Sequence, residues 1–262
     1  MSKVVVISNQ KGGVGKTTTC VNLAASIAAV DKSVLLVDLD PQGNATTASG
    51  VDKFDLKYTI QNVLSDKMPV SEVIIKRDRT SGGYDLLPSN GDVAACEVTL
   101  INEFAREQIL NNALAQVKDQ YDYIFIDCPP SLSLLTVNGM CAADSVIVPM
   151  QCEFFALEGL TDLIGIISKL SHAVNPRLKI DGILRTMYDN RNKLGSEVSK
   201  QLKQYFGDKL YRTVIPRNIK LAEAPSFGKP AYYYDKNSLG SKAYLALAGE
   251  ILNRDEKSQQ TA

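Results

Sequence analysis

Short apolar runs alternate with longer amphipathic stretches along most of the chain. Five runs have the length of strands, namely VVVIS at 4–8, SVLLVD at 33–38, YDYIFID at 121–127, DSVIVP at 144–149 and KIDGILRTM at 179–187. Helical patterns lie between them, at 17–30, about 102–120, from about 131 and at about 157–173. The runs are continuous and rich in β-branched residues, which is typical of strands covered on both faces. The pattern predicts an α/β fold with a mostly parallel central sheet flanked by helices on both faces.

Length and charge distribution suggest how the chain is organised. Its 262 residues suit one domain and allow two. We expect one domain over residues 1–254 and a flexible tail over 255–262, because DEKSQQTA is polar with mixed charge. The longest stretch without a charge, 128–143, has 16 residues and two prolines, which excludes a transmembrane helix. The N-terminus MSKVVVISNQ lacks the pattern of an export signal, so we expect a cytoplasmic protein with no membrane partner.

A glycine-rich loop follows the first predicted strand. Residues 9–18 read NQKGGVGKTT, and an Ala/Leu-rich helix comes next. Glycines allow backbone N–H groups to turn inward around phosphate oxygens, and the N-terminus of the following helix favours an anion. In such a loop Lys16 reaches the β and γ phosphates, and the Thr17 hydroxyl can ligate Mg²⁺. The predicted nucleotide-binding residues of the loop are Lys11, Gly12, Gly13, Val14, Gly15, Lys16, Thr17 and Thr18.

Carboxylates at the ends of two later strands complete the predicted site. Asp127 ends the run YIFID, where the carboxyl end of a strand points at the loop, and it matches a Walker B aspartate that holds Mg²⁺ through water. Asp38 and Asp40 follow the second strand in VDLDPQGNAT, and we expect Asp38 to be structural. These parts predict hydrolysis of Mg-ATP by positioning and charge neutralisation, without a covalent nucleophile.

Several strings together indicate a family. The strict pattern G-x-x-x-x-G-K-[ST] needs glycine at position 10, where this chain has Gln10, and KGGVGKTT instead resembles the deviant Walker A motif of the ParA/MinD/nitrogenase-iron-protein class of P-loop ATPases. The chain resembles ParA/Soj chromosome or plasmid partition ATPases through LLVDLDPQGNAT, YDYIFIDCPPSLSLLT, PMQCEFFALEGL and YRTVIPRNIKLAEAPSFGKP. Only eight residues precede Asn9, so we expect no N-terminal helix-turn-helix domain of the kind that longer plasmid relatives carry.

The resemblance implies roles for individual residues. Lys11 is expected to reach the partner's phosphates across an ATP-sandwiched homodimer, and Asp40 to polarise the attacking water. With Lys16 these two form the expected catalytic set of a weakly active ATPase. Met187, Pro216 and Asn218 are expected around the adenine, and DCPPSL at 127–132 resembles the family's second switch segment. A ParB/Spo0J-type protein is the expected partner that stimulates hydrolysis, and some family members also act through DnaA.

The charges balance over the whole chain but not within one segment. Lys plus Arg and Asp plus Glu number 29 each, yet residues 177–220 hold 11 basic and four acidic residues, a net charge of +7 against −7 elsewhere. By resemblance, the ATP-bound dimer binds double-stranded DNA without sequence preference and is nucleoid-associated. Arg191 and Lys220 lie where the family places phosphate-contacting residues. The further DNA-binding candidates are Lys200, Lys203, Lys229 and Lys242. A solvated basic face without nucleic acid is the alternative.

Three other activities remain open for this class. A MinD-like cell-division ATPase would need a basic amphipathic C-terminal helix as a membrane anchor, whereas SKAYLALAGEILNR predicts a core-packed helix. An electron-transfer ATPase resembling the nitrogenase iron protein would need two cluster-binding cysteines, for which Cys96 and Cys128 are the pair to consider. A P-loop biosynthetic ligase of the dethiobiotin or cobyrinate type would need a substrate pocket and would not respond to DNA.

Overall fold

A parallel sheet of seven strands forms the centre of the described protein. The computed structural model describes residues 2–77 and 83–261, and the strand order in it is β3-β2-β4-β1-β5-β6-β7. All neighbouring strands of this sheet pair in parallel. The strands are β1 (Lys3–Ile7), β2 (Val34–Asp38), β3 (Asp85–Leu87), β4 (Tyr123–Asp127), β5 (Ser145–Met150), β6 (Lys179–Tyr188) and β7 (Leu210–Pro216). The predicted α/β fold with a parallel sheet is confirmed.

Helices connect the strands and cover both faces of the sheet. They are α1 (Lys16–Ala28), α2 (Asn44–Ala48), α3 (Ile60–Leu64), α4 (Val70–Val73), α5 (Cys96–Leu100), α6 (Ile109–Ala115), α7 (Leu134–Ala142), α8 (Ala156–Ala173), α9 (Lys193–Phe206), α10 (Ile219–Glu223), α11 (Ala231–Tyr234) and α12 (Leu239–Thr261). Within the described ranges, none is long and apolar enough to cross a membrane.

Side chains of each central strand divide between two apolar layers. Val4 and Val6 of β1 pack into the layer under α7 and α8, whereas Val5 and Ile7 pack into the layer under α1 and α12. This alternation follows from the strand period of two, and a strand buried on both faces is apolar at most positions. α12 packs with Tyr244, Leu247, Ala248 and Ile251 in the core, which confirms the predicted core-packed C-terminal helix.

The register of the strands places the chemistry at one edge of the sheet. Asp127 at the end of β4 pairs with Ile7 on one side and with Asp38 on the other. The glycine-rich loop continues directly from Ile7, and Asp40 follows two residues after Asp38. Loop and carboxylates therefore meet at the carboxyl edge, where open parallel sheets bind their ligands.

Two local predictions differ from the structure. The continuous helix predicted over about 102–120 is wrong, because Ala105 has a positive φ of 51° that no α-helix accommodates, and only α6 within that span is α-helical. Residues 255–261, where the sequence predicts a flexible tail, continue α12 to Thr261. Asp255 accepts hydrogen bonds from Lys3 Nζ at 2.6 Å and Tyr123 Oη at 2.7 Å, and these contacts stabilise the last turns of α12.

Candidate functional site

The glycine-rich loop has the backbone of an anion cradle. Gly13 and Gly15 have positive φ angles of 72° and 88°, a conformation that side-chain-bearing residues rarely adopt. Gly15 precedes α1 directly and offers no side-chain cap to it. The first N–H groups of this 13-residue helix are therefore left for a ligand, and the helix dipole favours a negative one.

Two side chains outside the glycines hold the loop in place. Asn9 donates from Nδ2 to the carbonyl oxygen of Pro149 in β5 at 2.8 Å and accepts from Lys11 N at 2.9 Å. Thr186 in β6 donates from Oγ1 to the carbonyl oxygen of Val14 at 2.7 Å. The sequence analysis missed Thr186, whose only signal is its place near the end of a predicted strand.

Lys16 lies inside the site with its ammonium group against the loop. It is 7% exposed, and its Nζ donates to the carbonyl oxygen of Lys11 at 3.2 Å. Burial lowers the pKa of Lys16, and the negative charges of Asp127 and Asp40 oppose that shift. An anionic ligand stabilises a buried ammonium most when that ammonium lacks a close ion-pair partner.

Asp127 is a buried carboxylate beside the Thr17 hydroxyl. It has no solvent exposure, and apart from that hydroxyl no described group donates a hydrogen bond to either of its oxygens. Burial raises the pKa of Asp127 well above its usual range, and the charge of Asp38 raises it further, while the Thr17 hydroxyl partly offsets both. A buried carboxylate lowers the stability of the folded chain unless a cation pairs with it. A carboxylate beside a hydroxyl offers oxygen ligands that suit Mg²⁺. Asp127 and Thr17 therefore fit the predicted metal site.

Asp38 and Asp40 lie beside Asp127 but in different surroundings. Asp38 accepts hydrogen bonds from the backbone N–H groups of Asp40 at 3.1 Å and Thr46 at 2.8 Å. Burial raises the pKa of Asp38 to about 7, and these hydrogen bonds moderate the rise. Asp40 is 8% exposed, and its Oδ1 accepts from the N–H of Gln42 at 2.9 Å.

The three residues expected around adenine line one cavity beside the loop. Met187, Pro216 and Asn218 enclose a space of about 170 Å³ together with Gly15 and Thr18. Met187 has a positive φ of 48°, an uncommon backbone state for this residue type and one that often marks a binding site. The structure thus brings together residues from α1, β6 and the segment after β7.

A second, polar cavity adjoins the first. It measures about 230 Å³, and Glu153, Asp189 and Asn192 are among its lining residues. Arg217 lines both cavities, is exposed and makes no ion pair within residues 2–77 and 83–261. Its neighbours in the string PRN were predicted, but Arg217 itself was missed. Lys11 lies at the rim, exposed and paired with Glu153 of its own chain.

Three of the predicted DNA-binding cations already have an acidic neighbour. Arg191 donates from Nε and Nη2 to the two carboxylate oxygens of Asp189, at 3.0 and 2.7 Å. Lys220 pairs with Glu223 at 2.9 Å, and Lys200 with Glu197 at 2.9 Å. The other three candidates, Lys203, Lys229 and Lys242, are exposed and make no ion pair in the described part of the chain.

Comparisons with known proteins agree with this geometry. An AAA domain family model matches residues 2–180. The chain is 47% identical to the chromosome partitioning protein ParA of Caulobacter vibrioides, over 99% of this chain and 97% of the relative. It is 49% identical to the sporulation initiation inhibitor protein Soj of Bacillus subtilis, over 96% and 98%.

A solved structure extends the comparison to the whole fold. The crystal structure described as cobyrinic acid a,c-diamide synthase from Mycobacterium smegmatis, with bound ADP and magnesium, has a TM-score of 0.85 at 35% identity, covering 98% of this chain and 97% of that one. Sequence identity is higher to the ParA and Soj relatives over nearly complete chains. The glycine-rich loop, the carboxylates at the sheet edge and these full-length similarities together show that the chain belongs to the ParA/Soj family of P-loop proteins.

Proposed function

We propose that the protein is an ATP-dependent DNA-partitioning ATPase with weak intrinsic activity. In this proposal ATP joins two copies of the chain, the joined copies bind double-stranded DNA without sequence preference, and hydrolysis releases them. A ParB-type partner stimulates hydrolysis, and DnaA is a second candidate partner. The observation that carries the proposal is the carboxylate of Asp127, buried near the Lys16 ammonium where a Mg²⁺-bound triphosphate would neutralise both.

Each nucleotide-site residue has a defined task in this reaction. The N–H groups of residues 12–18 and the Lys16 ammonium bind the phosphates, and Thr17 and Asp127 hold Mg²⁺, Asp127 through water. The bound Mg²⁺ neutralises charge on the phosphate oxygens. Asp40 polarises the attacking water, whose oxygen bonds to the γ-phosphorus. The bond to the bridging oxygen breaks with its electron pair left on ADP, and the proton leaves with the phosphate.

Dimer formation requires Lys11 to change partners. Its side chain is 48% exposed and contacts Glu153 of the same chain, so no buried contact must be broken to free it. An exposed ion pair of this kind contributes little to stability, whereas a contact with a partner's phosphates would be shielded from water. We therefore place Lys11 among the catalytic residues as a contribution of each subunit to the other.

DNA binding rests on the basic segment 177–220. Its four DNA-binding candidates, Arg191, Lys200, Lys203 and Lys220, lie after β6, in α9 and in α10, and none belongs to a recognisable base-reading motif. Contacts to phosphate oxygens fix a protein on DNA without reading its sequence. A dimer doubles the number of cations that one copy presents to DNA, so binding is expected to follow the nucleotide state.

A ligase activity, suggested by the Mycobacterium smegmatis structure, is less well supported. The polar cavity beside the loop has about 230 Å³, and Glu153 and Asp189 are in its lining. Glu153 pairs with Lys11 and Asp189 with Arg191, so the lining does not select for or against an acidic substrate. The identity to the ParA and Soj relatives, 47% and 49%, exceeds the 35% to that structure. We therefore keep the partition ATPase as the single proposal.

The proposal is tested by a DNA mobility assay in ATP, ADP and no nucleotide, with a non-specific duplex. We expect binding with ATP only. If each dimer neutralises roughly six to ten phosphates, affinity should fall by roughly 10³ to 10⁵ between about 50 and 200 mM salt. Equal DNA binding in all three nucleotide states would contradict the ATP switch. An organic acid that accelerates hydrolysis while DNA does not bind would favour the ligase.

A further inference from the structure

A closed ring of hydrogen bonds lies beneath Asp40. Thr46 donates from both its N–H and its Oγ1 to Oδ2 of Asp38, each at 2.8 Å. The Thr46 Oγ1 in turn accepts from the N–H of Ser89 at 2.9 Å, and the Ser89 hydroxyl donates to the Asp40 carbonyl oxygen at 2.8 Å. The Asp40 N–H donates to Oδ1 of Asp38 at 3.1 Å, which closes the ring.

The ring is shielded from water. Asp38, Thr46 and Ser89 have no solvent exposure. Hydrogen bonds in such surroundings are stronger than at the surface, and a missing partner leaves an unsatisfied buried group. The ring also joins segments distant in sequence, since Asp38 ends β2, Thr46 lies in α2 and Ser89 follows β3. A shift of any one segment would therefore disturb the other two.

The ring fixes the backbone on both sides of the Asp40 side chain. The N–H of Asp40 is held by Asp38, and its carbonyl oxygen accepts from the Ser89 hydroxyl and from the N–H of Gly43 at 2.8 Å. Its Oδ1 accepts from the N–H of Gln42. Its Oδ2 accepts no hydrogen bond from the described residues, and this is the oxygen left for a water.

We propose that Thr46 and Ser89 are positioning residues for hydrolysis, which hold the Asp40 carboxylate at the attacking water. The inference rests on the role of Asp40 in the proposed function. Neither hydroxyl is placed to contact ATP, because both point into the ring. Their effect is exerted through Asp40, and a displacement of about 1 Å at a reacting group can cost on the order of 10² in rate.

Substitutions at Thr46 and Ser89 test the ring without changing its charge. Thr46→Val removes the hydroxyl at nearly constant volume, Thr46→Ser keeps it, and Ser89→Ala removes one hydroxyl while both backbone bonds of Ser89 and Thr46 remain. The matched control is Ser49→Ala, which removes a buried hydroxyl next to the same helix, where Ser49 Oγ contacts Tyr84 Oη at 2.7 Å. ATP affinity is measured with a non-hydrolysable analogue, hydrolysis in a single turnover, and kcat and KM at steady state.

We expect Thr46→Val to lower the single-turnover rate constant by about 10²-fold and Ser89→Ala by about tenfold, with ATP affinity and KM within about twofold of wild type. Thr46→Ser and Ser49→Ala should hydrolyse ATP normally. The double variant Asp40→Ala/Thr46→Val should be no slower than Asp40→Ala alone, because a positioning residue has nothing left to position.

The outcomes distinguish the role of Asp40 in hydrolysis from the positioning role of Thr46 and Ser89. If Asp40→Ala turns ATP over normally, the proposed role of Asp40 is wrong. If Asp40→Ala loses hydrolysis while Thr46→Val and Ser89→Ala keep it, only the positioning role is overturned. If Thr46→Val loses ATP affinity and hydrolysis to the same extent, Thr46 has a general structural role, and the positioning role is overturned as well. Should Thr46→Val fail to fold, Ser89→Ala decides between these outcomes.

Discussion

Charged residues at the sheet edge and on the basic segment 177–220 are held in opposite ways. At the edge, Lys16 and Asp127 are buried, and neither forms an ion pair within the described ranges. On the segment, Arg191 is exposed and Lys220 is half-buried, and each already pairs with an acid of the same chain. A buried charge without a partner is costly, whereas an exposed pair is nearly neutral in energy.

At the sheet edge a ligand would supply the missing partners of buried charges. On the basic segment it would replace partners that Arg191 and Lys220 already have. A nucleotide with its metal would relieve unfavourable burial at the edge, so binding there should be tight and sensitive to single substitutions. DNA would replace weak in-chain pairs one at a time, so binding there should depend on many cations and on salt.

The largest effect is expected from Lys16→Ala. Removal of the buried ammonium takes away the charge that faces the β and γ phosphates, and truncation of one partner of such a pair weakens binding by about 10²- to 10³-fold. ATP affinity measured by calorimetry should fall by that factor. Lys32→Ala, an exposed lysine at the other end of α1, should bind ATP as wild type does. If Lys16→Ala binds ATP as tightly as wild type, the buried charges at the sheet edge do not determine nucleotide affinity.

A double charge reversal, Arg191→Glu with Lys220→Glu, should act on DNA alone. Four charges of each dimer are inverted, so affinity for a non-specific duplex should drop by at least about 10²-fold and the salt dependence should become shallower. ATP-driven dimerisation, followed by light scattering, should persist. Lys32→Glu with Lys169→Glu applies the same charge change to exposed lysines outside the segment and should leave DNA binding nearly intact. Retained DNA binding in the first double variant would move the site elsewhere.

Asp127→Asn tests how the buried carboxylate affects the pH dependence of stability and the binding of Mg²⁺. Because burial raises the pKa values of Asp127 and of Asp38, the latter to about 7, the folded chain holds these protons more tightly than the unfolded chain. The nucleotide-free protein should therefore lose stability as pH rises from about 4 towards 7. Asp127→Asn should make that loss smaller, while the gain in ATP affinity from Mg²⁺ falls by about 10- to 100-fold.

Thermal unfolding between about pH 4 and 7 and Mg²⁺-dependent ATP titrations measure the two effects. Asp162→Asn, on the exposed face of α8, is the control and should change neither. A pH dependence in Asp127→Asn as steep as in wild type would mean that its burial carries no cost.

The nucleotide loop was predictable because its residues are contiguous. Strand, glycines, lysine and helix follow one another in the sequence, and Met187, Pro216 and Asn218 line a cavity beside the loop. The ring beneath Asp40 was not predictable. Ser89 follows β3, a strand of three residues that is too short to give an apolar pattern.

The fold was predictable where strands are fully buried, and less so at its edges. β1, β2, β4, β5 and β6 are close to the predicted runs, because most positions in the buried ones are apolar. β7 mixes exposed and buried positions, and no strand was predicted there. The acids beside Arg191 and Lys220 were counted in the net charge, but only coordinates show that they form pairs with these cations.

The smallest effect is expected when those acids are neutralised. Asp189→Asn with Glu223→Gln frees Arg191 and Lys220 without touching either cation, so DNA affinity in the ATP state should rise by roughly two- to fivefold at low salt and less at high salt. Glu158→Gln with Asp162→Asn removes two exposed acids of α8 and serves as the charge-matched control. An equal rise in both double variants would assign the effect to net charge. A rise confined to the first would show that in-chain pairs set how readily the basic segment accepts DNA, as the contrast between buried and exposed charges requires.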